Sequence, residues 1–127
     1  MKKILIIDNE EGFLEFVKTN LELRGNYRVI TAPDGEKGLR LAEKRKPDLV
    51  LLDIIMPGID GFEVLKRLRA GEKTKTIPVI MLTARSDDDA MIKALELHDD
   101  GYIIKPLKIE ELEDKVEKAL YREGNPG

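Results

Sequence analysis

The sequence contains no cysteine and no glutamine, a single histidine, and no long apolar run. The missing cysteine removes disulfides, zinc–thiolate sites and thiol catalysis together, and fits a reducing compartment. The lone His98 has no partner for a histidine metal site. It falls near the end of the fourth predicted helix, where the helix dipole favours a surface cation. No stretch approaches the roughly 20 apolar residues of a membrane span. Ile4–Ile7 gives four apolar residues before Asp8, against roughly 7–15 in a secretory signal. A cytoplasmic location with no membrane partner is the expectation. A strong charge of either sign is also missing: 22 Lys and Arg against 25 Asp and Glu leave −3. That balance gives the chain no general attraction for nucleic acid or anionic lipid.

What remains is 127 residues, 42% apolar and 37% charged, enough for one domain with a substantial core. Short apolar runs occur at Ile4–Ile7, Val29–Thr31, Leu49–Leu52 and Val79–Leu82, with a weaker one at Tyr102–Ile104. They are mostly continuous, as strands covered on both faces are. Helical spacing fills the intervals. Leu14, Val17 and Leu21 share one face of a segment from about Gly12 to Arg24, which Gly25 stops. Glu36–Lys46 carries Leu39 and Ala42 and ends at Pro47. Asp60 with Glu63 forms a capping box ahead of Leu65 and Leu68, and that helix stops near Gly71. A fourth helix starts at Ser86, with Asp87, Asp88 and Asp89 in its first turn. The last, Ile109–Tyr121, spaces Leu112, Val116, Ala119 and Leu120.

Five β-α units predict an α/β fold: a doubly wound, five-stranded parallel sheet between two helical layers, joined by right-handed crossovers. Residues 1–122 would form the domain, and 123–127 an unstructured tail or the start of a linker.

Ligands of such sheets bind beyond the carboxyl ends of the strands, so the residue after each apolar run carries the functional information. Asp8, Asn9 and Glu10 follow the first run, Asp53 the third, Thr83 the fourth and Lys105 the fifth; the second ends in Thr31-Ala32 with no ionisable group. In strand order 2-1-3-4-5, the flavodoxin-like arrangement, two acids, a hydroxyl and an ammonium become neighbours. Two carboxylates ~4 Å apart repel by about 4 kcal/mol at an effective dielectric near 20, so such a pocket calls for a cation. Oxygen ligands suit magnesium, which takes one or two carboxylates and keeps several waters. A carboxylate held there can act as a nucleophile towards phosphorus and become an aspartyl-phosphate, with Lys105 and Thr83 meeting the phosphoryl oxygens.

These residues resemble the receiver domains of bacterial two-component response regulators, over essentially residues 3–121. The marks are "ILIIDNE", "PDLVLLDIIMPGIDGFEVL", "IPVIMLTAR" and "GYIIKPL", with 45, 30 and 22 residues between Asp8, Asp53, Thr83 and Lys105. The resemblance implies that Asp53 is the phosphoacceptor and that Asp8 belongs to the acidic pair holding Mg2+. It makes the Ile55 carbonyl a further metal ligand, Thr83 and Tyr102 the switch residues, and Lys105 the phosphoryl contact, with a cis bond before Pro106. The expected partners are a sensor histidine kinase or phosphotransfer protein, and an output protein or domain that reads the surface of the fourth helix, fifth strand and fifth helix. The domain would phosphorylate and dephosphorylate itself without being an enzyme on external substrates.

One position departs from the family's pattern. Asn9 stands where the second member of the acidic pair is usually Asp; its amide oxygen can ligate magnesium but brings no charge. Glu10, adjacent and longer, can compensate through water. The alternative is a degenerate receiver that acts as an interaction module without phosphate. A flavodoxin-like electron carrier would need a hydroxyl- and glycine-rich loop where this chain has acids. A phosphatase with an aspartate nucleophile would need that nucleophile after the first strand and a second Asp two residues on, where Glu10 stands.

Overall fold

The structure, a computed structural model, describes residues 1–84 and 101–121. The predicted fourth helix, the acids 87–89 and His98 lie outside the described residues. In chain order the elements are β1 (Lys2–Ile7), α1 (Glu11–Arg24), β2 (Tyr27–Ala32), α2 (Gly35–Arg45) and β3 (Leu49–Asp53), then α3 (Gly61–Ala70), β4 (Val79–Ala84), β5 (Tyr102–Lys105) and α4 (Ile109–Tyr121). The last of these, α4, is the fifth helix of the sequence reading. The sheet runs β2-β1-β3-β4-β5, with every pairing parallel.

Strand parity sorts the core into two halves. Ile4 and Ile6 of β1, Leu49 and Leu51 of β3, Ile80 and Leu82 of β4 and Ile103 of β5 pack with Leu14, Val17 and Leu21 of α1 and with Leu112, Val116 and Leu120 of α4. The alternate residues Leu5, Ile7, Val50, Leu52, Val79 and Met81 pack with Ala42 of α2 and with Val64, Leu65 and Leu68 of α3. Burial on both faces is why the runs read as continuous. Most of these side chains are fully enclosed, and truncating one of the buried leucines or isoleucines to alanine costs about 2–5 kcal/mol.

Several boundaries differ from the sequence expectation, each for a physical reason. Strands β3, β4 and β5 run one or two residues further than their apolar runs, because Asp53, Thr83 and Lys105 still take part in the ladder through Asp53↔Leu82, Thr83↔Ile104 and Ala84↔Lys105. Helix α2 starts at Gly35 rather than Glu36, since the Asp34 carboxylate accepts from Lys37 N–H at 2.8 Å and caps it. It ends at Arg45, with Lys46 as a left-handed cap at φ 47°. Gly25 ends α1 in extended backbone rather than left-handed geometry, because β2 begins two residues on. Asp60 caps α3 as expected, accepting from Glu63 N–H at 2.9 Å.

Candidate functional site

Asp8, Asp53 and Lys105 inherit one face of the sheet. Each continues the parity of a residue packed beneath α1 and α4: Ile6 for Asp8, Leu51 for Asp53 and Ile103 for Lys105. The pairings Ile7↔Leu52, Asp53↔Leu82 and Leu82↔Ile103 bring the three tips level. Distances bear this out. Lys105 Nζ lies 2.6 Å from Asp8 Oδ2, 3.3 Å from Glu10 Oε1 and 3.8 Å from Asp53 Oδ2.

Asp8 is fully buried and Asp53 is 6% exposed. The backbone fixes Asp8 through its own N–H, which donates to Ala32 carbonyl at 3.1 Å. Asp8 Oδ1 accepts from Glu10 N–H at 2.9 Å, a turn that aims Glu10 into α1 as its first flanking residue. The Glu10 side chain makes no cap bond to the helix and extends towards Lys105 instead. Gly61 allows α3 to start directly against the tip of β3: its N–H donates to Ile54 carbonyl at 2.7 Å. A Cβ at Gly61 would overlap the Asp53 carbonyl oxygen. The glycine of "GIDG" is therefore a close-approach residue.

Electrostatics follow from this packing. Burial pushes the Asp53 carboxyl up to about 6, helped by the negative charge of Asp8 and opposed by Lys105 and by the Ile55 N–H that hydrogen-bonds it. Burial tends to lower the Lys105 ammonium, but its hydrogen bond to Asp8 and the charges of Asp53 and Asp8 outweigh that and raise it. A single ammonium is thus shared among three acids, and Asp53 remains short of positive charge.

A cleft of about 660 Å³ opens over these groups, lined by Asn9, Glu10, Phe13, Phe16, Asp53, Ile55, Lys105, Pro106 and Leu107. A larger cleft beside α3, about 890 Å³ and lined by Ile59, Phe62 and Arg67 among others, contains none of the strand-tip groups. Asn9 is exposed at the cleft edge. Ile55 turns its side chain outward, 57% exposed. Tyr102 is partly buried against the α2–α3 half of the core. Thr83 is placed through its backbone alone, as the penultimate residue of β4 opposite Ile104. The Lys105–Pro106 bond is cis.

The donor set fits a small hard cation. Among the described residues no three His, Cys, Asp or Glu side chains group closely enough to hold a metal ion by themselves, so a cation here would rest on two carboxylates together with amide or carbonyl oxygens and water. Two buried carboxylates with an undercompensated charge match what magnesium takes from a protein.

Residues 4–117 match the family model described as the response regulator receiver domain. The chain belongs to this family. Receiver-domain relatives include the alkaline phosphatase synthesis transcriptional regulatory protein PhoP of Bacillus subtilis, 43% identical over 95% of this chain and 49% of the relative. Another is the DNA-binding dual master transcriptional regulator RpaA of Synechocystis, 43% identical over 96% of this chain and 50% of the relative. The chain spans about half the length of these curated relatives. The solved chemotaxis protein CheY4 of Vibrio cholerae superposes with a TM-score of 0.87 at 30% identity, covering 94% of this chain and 99% of that one. Receiver domains of response regulators are generally not enzymes, and the family typically binds magnesium at its phosphorylation site. Among the described residues no helix is long and apolar enough to cross a membrane.

Sequence reasoning missed Phe13. Its ring lies 4.4 Å from Lys105 Nζ, and the aromatic at helical spacing gave no sign of that contact.

Proposed function

We propose that this receiver domain accepts a phosphoryl group on Asp53 in a magnesium-dependent reaction and switches a partner-binding surface in response. The observation that carries this reading is the Lys105 ammonium set between Asp8, Glu10 and Asp53, beside a buried carboxyl raised to about 6. A carboxylate with a raised pKa is more basic, and hence more nucleophilic, once ionised.

In the reaction an Asp53 carboxylate oxygen attacks phosphorus. The bond from phosphorus to the donor's nitrogen or oxygen breaks, and the leaving group departs with that electron pair and takes up a proton. Asp8, Asp53, the Asn9 amide oxygen and the Ile55 carbonyl are the groups proposed to hold Mg2+, with Glu10 acting through water. Bound there, the ion supplies charge neutralisation for the carboxylates and the phosphoryl oxygens. Lys105 pairs with a phosphoryl oxygen, and Thr83 donates a hydrogen bond to another. Tyr102, two residues before Ile104 and so near the strand partner of Thr83, carries the rearrangement to the β5 edge. A ligand moves such an equilibrium only through different contacts in the two states, and the Thr83–phosphoryl bond is the difference.

The donor is a histidine kinase, a phosphotransfer protein or a small acyl phosphate, and the recipient of the signal is an output protein or domain. The receiver itself spans residues 1–122, with 123–127 as tail or linker. It works in the cytoplasm, and neither nucleic acid nor membrane is its own ligand. Self-phosphorylation and self-dephosphorylation are its only chemistry.

A second reading has its own observation. The 2.6 Å Lys105–Asp8 pair already supplies the pocket with one cation, and Asn9 withholds one negative charge. A phosphate-independent interaction module would look the same in this state. Intact mass measured with acetyl phosphate and Mg2+ separates the two. A gain of one phosphoryl group that is absent from Asp53→Asn supports the switch. No gain at any magnesium concentration supports the module.

A further inference from the structure

Among the described residues the Lys105 ammonium has three carboxylate neighbours and one aromatic ring. The carboxylates are Asp8 at 2.6 Å, Glu10 at 3.3 Å and Asp53 at 3.8 Å, and the ring is that of Phe13, 4.4 Å from Nζ to its centroid. These partners are not equivalent. Asp8 and Asp53 are the buried groups that a divalent cation would also claim, and a carboxylate shared with a cation holds an ammonium less tightly. Glu10 has a side chain 67% exposed, and an ion pair at such a surface contributes little. The ring is the one partner with no competing demand. It lies well inside the ~6 Å within which an ammonium is attracted to an aromatic face. The Lys105 side chain is only 17% exposed, so the contact is largely desolvated, where this attraction is strongest.

The ring is also firmly mounted. Phe13 is the third residue of α1, a helix anchored by the buried Leu14, Val17 and Leu21. Its partly buried side chain packs on the same core half as Leu107 and Ile109, the residues that follow Lys105-Pro106. Ring and ammonium are therefore held by the same apolar cluster from opposite ends of the sequence.

We propose that Phe13 is a positioning residue for Lys105: its ring keeps the ammonium over the Asp53 cleft when the carboxylates are engaged elsewhere. The proposal rests on the phosphoacceptor reading above. The bland account, that Phe13 only fills core volume, predicts sensitivity to side-chain size and none to the electron density of the ring.

The test replaces Phe13 site-specifically with 4-fluoro- and 3,4,5-trifluorophenylalanine, which nearly conserve volume while depleting the ring face. The same analogues at Phe62, outside the cleft, serve as control. Two readouts are taken. The first is the proton signal of the Lys105 methylene next to Nζ, in the magnesium-free protein, assigned with Lys105→Arg. It is expected upfield of the other lysines and to lose that displacement in Phe13→Leu. The second is the rate of Asp53 phosphorylation by acetyl phosphate with Mg2+. That rate is expected to fall stepwise with fluorination, about threefold to tenfold at the trifluoro variant, with no change at Phe62 and with Phe13→Tyr close to wild type. A Lys105 signal that is the same in wild type and Phe13→Leu overturns the proposal. A rate that is flat across the fluorinated Phe13 series also overturns it while phosphorylation itself stands. Wild-type protein that takes up no phosphate, with the Lys105 signal still responding to Phe13, overturns the phosphoacceptor reading instead and leaves the ring–ammonium contact established.

Discussion

Lys105 Nζ donates to Asp8 Oδ2 at 2.6 Å across 97 positions of sequence. This bond joins the tip of edge strand β5 to the end of β1, across the two intervening strands β3 and β4, and gives a fully buried carboxylate its counter-ion. Removing one partner of a buried pair leaves the other without compensation. Lys105→Met is therefore expected to destabilise the magnesium-free protein by about 2–4 kcal/mol, measured by urea denaturation. Adding magnesium should recover part of the loss, and Asp8→Asn in the same background should recover more. A Lys105→Met protein as stable as wild type would show that Asp8 needs no cation.

Asp53 gives a pH dependence whose sign is fixed by its raised pKa. Burial and the neighbouring Asp8 charge push the folded-state value up to about 6, from an ordinary carboxyl value of 3.8. Between these values the folded chain binds more protons than the unfolded one, so stability falls as pH rises through the window. The full effect is at most about 3 kcal/mol at 1.36 kcal/mol per unit. In EDTA, Asp53→Asn should therefore be more stable than wild type at pH 7.5, by about 1–3 kcal/mol. The difference should shrink towards zero near pH 4. Thermal denaturation followed across that range checks both the size and the direction.

Asn9→Asp adds a carboxylate to a pocket already short of positive charge. Without divalent ions it is expected to lower stability by about 1 kcal/mol. With magnesium it is expected to tighten binding about tenfold, since the added ligand carries a full charge. Calorimetric titration measures the affinity, and melting with and without the ion shows the opposite signs.

Gly61→Ala drives a Cβ into the Asp53 carbonyl, a backbone atom that cannot swing aside. The expected cost is about 2 kcal/mol or more, with slower uptake of phosphate because the tip of β3 must move. Asp60→Ala, at the adjacent cap, should cost only about 1 kcal/mol and leave phosphate uptake unchanged. The contrast between neighbours isolates site displacement from loss of helix stability.

The sheet order and the meeting of Asp8, Asp53 and Lys105 were legible because continuous apolar runs identify strands buried on both faces, and polar residues at their carboxyl ends fall on one edge. The strand ends themselves were misplaced by one or two residues: a polar side chain such as that of Asp53 ends the hydrophobic signal but not the hydrogen-bonded ladder. Asp34 as a helix cap was missed because the following Gly35 reads as a turn residue rather than as the first helical position. Phe13 could not be seen as a partner of Lys105. A lone aromatic on an amphipathic helix looks like any core residue, and the contact depends on how far the β5 tip overhangs α1, a distance that no local pattern encodes.

The central claim is that Asp53 is the residue that becomes an acyl phosphate. Borohydride reduces an aspartyl-phosphate to homoserine and leaves free carboxylates unchanged, so treating the acetyl-phosphate-loaded protein and sequencing its peptides locates the modified side chain. Homoserine at position 53 alone, dependent on magnesium, is the predicted result. Homoserine at position 8 or 10, or none in protein that carries phosphate, would contradict it.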